Sequence, residues 1–115
     1  MSLKLSTRQV DGITILDLSG RITLGEGGTT LRDAIQEALK TGTKKLIVDM
    51  GGVTYMDSSG MGELTGAYVS AKNKGCTLKL LRLTKKIDDI MQITKIATLF
   101  DTYTDEKAAL ASFKS

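Results

Sequence analysis

Leu46-Ile47-Val48 is an uninterrupted aliphatic run set between Lys45 and Met50. A short continuous run of this kind fits a strand buried on both faces, the usual condition of strands in a parallel sheet. Downstream, Met61, Leu64, Tyr68 and Ala71 recur at helical spacing from about Ser58 to Asn73, and Gly75 supplies a stop. Thr77 to Leu83 is a second aliphatic strand. Strand, helix and strand over Leu46 to Leu83 therefore predict a βαβ crossover, a connection that is almost always right-handed.

The flanking segments extend this unit. Asp11-Gly12 separates two strand-like stretches, Leu3 to Val10 and Ile13 to Leu18, and suits a type I′ hairpin turn. Gly20 to Gly28 holds four glycines and is expected to be a loop. Thr29 or Thr30 then caps a helix carrying Leu31, Ile35, Ala38 and Leu39, which Gly42 closes. Gly51-Gly52 is expected to end the central strand. Ile87, Ile90 and Met91 mark a short helix, and Leu99 to Tyr103 a short edge strand. Asp105 to Phe113 is a last helix with Thr104 as its cap. The expectation is an α/β domain. Its small mixed sheet has about four to five strands, an N-terminal hairpin plus parallel strands, and about four α-helices accompany it.

Composition narrows the chemistry. The chain has 115 residues, the size of one domain spanning 1–115, and can bury a core without metals or disulfides. It contains no His, so a Ser-His-Asp triad, a Cys-His dyad and a His-rich metal site are excluded. Cys76 stands alone, which excludes an intrachain disulfide and fits a reducing compartment. Lys plus Arg exceed Asp plus Glu by three, and the basic residues are scattered pairs such as Lys44-Lys45 and Lys85-Lys86. That is not the concentrated stripe a nucleic-acid binder presents. No apolar run reaches the roughly 20 residues of a membrane span, and no signal peptide is expected ahead of the first strand. The expectation is a cytoplasmic protein that binds no nucleic acid directly, has no membrane span and needs no cofactor.

The densest local signal is Val53-Thr54-Tyr55-Met56-Asp57-Ser58-Ser59-Gly60-Met61-Gly62, between a buried strand and a helix. Sites in α/β sheets form in loops that leave the carboxyl ends of strands. Asp57, Ser58 and Ser59 are each good N-caps, and three in a row exceed what capping requires. Gly60, Gly62 and Gly66 crowd the first half of the helix, at a cost of about 1 kcal/mol each relative to Ala. Gly62 and Gly66 share a face, where bare backbone admits either a partner surface or the sheet beneath. A phosphate on a hydroxyl at this helix start would meet free N–H groups and the positive end of the dipole.

The run Tyr55-Met56-Asp57-Ser58-Ser59-Gly60-Met61-Gly62 resembles the signature of the STAS domain, in particular that of bacterial anti-sigma-factor antagonists. Asp11-Gly12-Ile13 through Leu18-Ser19-Gly20, Leu31 to Leu39, Lys45 to Met50, Leu78 to Leu83 and Ile90 to Phe100 carry the resemblance over nearly the whole chain. The resemblance implies a binding module, not an enzyme. Its partner is an anti-sigma factor that is itself a serine kinase, and a phosphatase resets the switch. Ser58, directly after the motif Asp, would be the phosphoacceptor. Asp57 would position the hydroxyl and the partner, and Ser59 would belong to the helix start. Gly60, Gly62, Glu63 and Gly66 would complete the contact surface. Many relatives carry an acidic residue soon after the second strand. Here the stretch is Arg21-Ile22-Thr23-Leu24-Gly25-Glu26, and Glu26 is the candidate. The alternative is a STAS adaptor subunit of a lipid-transport or stress-signalling complex, in which Ser58 need not be phosphorylated. A hydrolase built on Ser58 and Asp57 would need Lys or a carboxylate as base. Gly25 to Thr30 lacks the Gly-Lys-Ser/Thr ending of a phosphate-binding loop. Asp49 and Asp57 are a conceivable but incomplete metal pair.

Overall fold

A computed structural model describes residues 3–114. Strand β1 (Leu3–Val10) and β2 (Ile13–Ile22) form the N-terminal hairpin, followed by α1 (Glu26–Lys40), β3 (Lys45–Met56), α2 (Ser58–Asn73), β4 (Thr77–Leu81) and α3 (Lys85–Ile93). A 3-10 turn (Ile96–Leu99), β5 (Thr102–Tyr103) and α4 (Glu106–Ala111) complete it. The five strands lie in the order β1-β2-β3-β4-β5. Only β1 and β2 are antiparallel; β2 with β3, β3 with β4 and β4 with β5 are parallel. The fold is the mixed α/β sheet with four helices that the pattern implied.

The aliphatic run works as its composition demands. Leu46, Val48 and Met50 point into the main core with Leu31, Ile35, Leu64 and Ala71 from α1 and α2. Ile47 points the other way, into a smaller core with Ile13, Ile15, Leu81 and Ala109 of α4. The hairpin turn takes positive φ at both Asp11 (52°) and Gly12 (79°), the type I′ geometry. Beside the smaller core, the Arg8 guanidinium bonds Asp17 and Glu106, each at 2.6 Å, and Arg82 bonds Asp49 at 2.6 Å. The Arg8–Glu106 pair clamps α4 over the hairpin, and the Arg8 guanidinium holds the Glu106 carboxyl below its usual range.

Several boundaries differ from those the sequence implied. Gly51-Gly52 does not end β3. The strand continues to Met56, and the β2–β3 register slips between Asp17 and Ser19 and again between Gly20 and Arg21. Each slip accommodates one extra residue on β3, the geometry of a bulge. Met50, Val53 and Met56 consequently all reach the main core, at a spacing of three where a regular strand allows two. Helix α1 starts at Glu26 and not after Thr29 or Thr30, and its N-cap is Gly25 at φ 92°. Gly27 and Gly28 belong to the helix, and at Gly27 a close approach of the chain excludes any side chain. A Cβ on Gly27 would lie 2.5 Å from the Arg21 carbonyl oxygen. Strand β4 stops at Leu81, where Arg82 turns to φ 57°. Leu99 lies in the 3-10 turn, so β5 is confined to Thr102–Tyr103. Asp105, not Thr104, caps α4, its carboxylate accepting from the Ala108 N–H at 3.0 Å.

Candidate functional site

Three chain segments meet where β2 and β3 end. The main-chain N–H of Asp57 donates to the Ile22 carbonyl oxygen at 3.3 Å, which holds the start of α2 against the end of β2. The loop Thr23-Leu24-Gly25 crosses beside it, and the Thr23 carbonyl accepts from the Gly28 N–H at 2.9 Å. Asp57 joins the pieces. One carboxylate oxygen accepts from the Gly60 N–H at 2.8 Å, capping α2, and the other accepts from the Leu24 N–H at 3.1 Å. These N–H donors, Gly60 first and Leu24 second, hold the Asp57 carboxyl below its usual range. Asp57 is thus a clamp between loop and helix as well as a cap.

That assignment sets the roles of its neighbours. Ser58 is the first residue of α2 and is exposed; Asp57 does the capping, so the Ser58 hydroxyl is free of that duty. Ser59 is half-buried in the first turn. Gly60 is buried against β2: a Cβ there would collide with the Ile22 carbonyl oxygen and stand 2.9 Å from the Met56 Cγ. Gly60 therefore seats the helix and offers no open surface, unlike the contact role the motif implied for it. Gly62 and Gly66 behave oppositely. A Cβ at either would find nothing within 4 Å, so the sheet does not account for them. Gly66 also borders a cleft of about 230 Å³ between α1 and α2, lined by Arg32, Gln36, Glu63 and Ser70 among others. Glu63 is not a free contact group, because the Arg32 guanidinium of α1 binds it with both oxygens engaged. Glu26 is exposed at the start of α1, two residues beyond Leu24.

The residues brought together include some that sequence reasoning did not single out. Leu24 is 80% exposed beside Asp57, a large apolar side chain in solvent at the edge of the site. Its only sequence signal was an aliphatic residue inside a glycine-rich stretch. Arg32 has no signal in spacing, since its partner Glu63 lies on another helix. Asp49 and Asp57 have separate employments: Asp49 takes Arg82 and the Gly51 N–H, at 2.6 and 2.9 Å. Among the described residues no cluster of three or more His, Cys, Asp or Glu could hold a metal, and no helix is long and apolar enough to cross a membrane.

The open glycines permit a direct measurement. Gly62→Gln and Gly66→Gln should leave the melting temperature unchanged or raise it, because each replaces a poor helix former by one about 0.5–1 kcal/mol better. A fall of several degrees in a thermal melt would mean that these positions are packed.

Residues 4–109 match the family described as the STAS domain. The anti-sigma-B factor antagonist of Bacillus subtilis is 25% identical over 101 residues, covering 88% of this chain and 91% of that protein. Among solved structures, an anti-sigma factor antagonist from Mycobacterium paratuberculosis superposes with a TM-score of 0.87 at 18% identity, covering 99% of this chain and 96% of that one. The Bacillus cell fate determinant SpoIIAA in its phosphorylated form superposes with a TM-score of 0.69 at 20% identity, covering 91% and 96%.

Proposed function

The chain belongs to the STAS domain family, and from that premise we propose that it is an anti-sigma-factor antagonist switched at Ser58. In this reading it binds a kinase-type anti-sigma factor, which then gives up its sigma factor. The kinase transfers phosphate from ATP to the Ser58 hydroxyl, binding ends, and a phosphatase restores the serine. The chain is substrate and ligand and performs no catalysis of its own.

The observation that carries this reading is the division of labour at the start of α2. Asp57 caps the helix and clamps the loop, while Ser58 beside it is exposed and has no part in the cap. A switch residue must be reachable by another protein and expendable for folding, and Ser58 meets both conditions. A phosphate there would carry about −1.5 to −2 charges. The helix dipole would stabilise it within this chain. A docked partner would face that new charge next to the Asp57 carboxylate. The anti-sigma-B factor antagonist among this chain's relatives and a structural neighbour solved in its phosphorylated form support the antagonist reading.

Incubation with the cognate kinase-type anti-sigma factor and ATP, followed by peptide mapping, tests it. Phosphate is expected on Ser58 and should be absent from Ser58→Ala. Phosphate on Ser59 alone, or on neither serine, overturns the assignment and favours an adaptor that works without phosphorylation.

A further inference from the structure

Beside Ser58 lies a cluster that the switch does not use. The Arg21 guanidinium stands 4.8 Å from the centre of the Tyr55 ring, and the Lys86 ammonium 5.1 Å from the same ring. Arg21 and Tyr55 are register partners at the ends of β2 and β3, and Lys86 is in the first turn of α3, after β4. The sheet thus delivers two cations and an aromatic side chain to the carboxyl ends of three neighbouring strands, the edge at which α/β sheets bind ligands.

None of the ion pairs among the described residues includes Arg21 or Lys86. Their neighbours differ: Lys85 pairs with Asp89 at 3.1 Å, and Arg32 and Arg82 each hold a carboxylate. Two like charges drawn to one ring repel each other, and a carboxylate placed between them relieves that repulsion. A guanidinium lying against a ring keeps its edge N–H groups available, in the fork geometry that matches a carboxylate. The cluster is also continuous with the switch. Tyr55 precedes Ser58 by three residues, and Ile22, next to Arg21, accepts the Asp57 N–H.

We propose that Arg21, Tyr55 and Lys86 form a docking site for an acidic segment of the protein that engages Ser58, selecting that partner by charge. This rests on the reading of Ser58 given above for the partner's identity. The chemistry of the patch stands separately, since it needs only the cations and the ring. Arg21, the penultimate residue of β2, places a cation at this edge, while the acidic candidate Glu26 stands exposed at the start of α1.

Two experiments separate the claims. In the first, a ten-residue Glu/Asp peptide, a matching Gln/Asn peptide and ATP are each titrated into the isotope-labelled protein and followed by NMR. Shifts at Arg21, Tyr55 and Lys86 are expected with the acidic peptide and not with the neutral one. Equal shifts with both peptides, no shift there, or shifts with ATP alone overturn the proposal. In the second, the cognate anti-sigma factor is titrated with Arg21→Glu, Lys86→Glu and the double variant. Each single reversal should weaken binding about tenfold and the pair about a hundredfold, mostly through the association rate, with the salt dependence flattened. Arg21→Gln, which only neutralises, should lose less than Arg21→Glu. Thermal melts should be unchanged, because both side chains are exposed. Unaltered affinity in the double variant overturns the patch. Failure of the unaltered protein to bind any anti-sigma factor overturns the functional reading instead, and the peptide titration still decides the patch.

Discussion

Ser58→Asp is expected to weaken binding to the anti-sigma factor by about a hundredfold, while Ser58→Ala stays within about threefold of the unaltered protein. The added carboxylate would stand beside that of Asp57, already ionised and held by the Gly60 and Leu24 N–H groups. A partner shaped for a neutral hydroxyl would have to desolvate the new charge or stand away from it, and an unpaired buried charge costs several kcal/mol. Within the free protein the same charge lies at the positive end of α2, where the dipole favours it by about 0.3–1 kcal/mol. Ala removes no cap, since Asp57 is the cap. Both variants should therefore melt near the unaltered protein, and only one should lose binding. Calorimetric titration with thermal melts reads both quantities. Equal affinities for the two variants would remove charge at position 58 as the control.

The second large effect concerns folding. Gly60→Ala should destabilise the protein by about 3 kcal/mol, because a single methyl group would occupy the space of the Ile22 carbonyl oxygen. Relief requires α2 to lift from β2, which stretches the bond between the Asp57 N–H and that same carbonyl. Gly62→Ala, two residues along the same helix, should instead stabilise by up to about 1 kcal/mol, since its Cβ enters open space. The melting temperatures of the two variants should fall on opposite sides of the parent, more than about 10 °C apart for a domain of this size. A Gly60→Ala variant that melts with the parent would show that the helix start is not seated on β2. The contrast also divides the motif: its first glycine serves packing, and the later ones leave backbone open at the surface.

Much of this architecture can be read locally, and the reasons lie in the range of the forces involved. Helix α2, Ser58–Asn73, has the bounds that periodicity and Gly75 imply, and the Asp11-Gly12 turn has the φ values its two residues favour. Both depend on neighbours close in sequence. The errors fall where distant segments touch. Gly27 and Gly28 read as loop because glycine is flexible in isolation; both lie in α1, where the end of β2 leaves no room for a Cβ on Gly27 and the Thr23 carbonyl and Glu63 side chain crowd Gly28. Gly51-Gly52 reads as a strand end; it is where β3 bulges past Leu18 and Ser19, and a Cβ on Gly52 would stand 2.8 Å from the Leu18 carbonyl oxygen.

The site divides along the same line. The order of elements, the exclusion of His-based chemistry and the presence of a capped helix after a buried strand are properties of residue type and spacing, which act over a few positions. Which of Asp57, Ser58 and Ser59 caps, which glycine is packed and which is open, and which cations remain unpaired are decided by contacts across 30 or more residues. Asp57 reaches Leu24, Gly60 meets Ile22, and Glu63 is taken by Arg32. Tyr55 collects Arg21 and Lys86 only because β2, β3 and the start of α3 converge at one edge of the sheet. Steric exclusion and ion pairing act at a few ångströms in space, and no spacing along the chain encodes which residues will come that close.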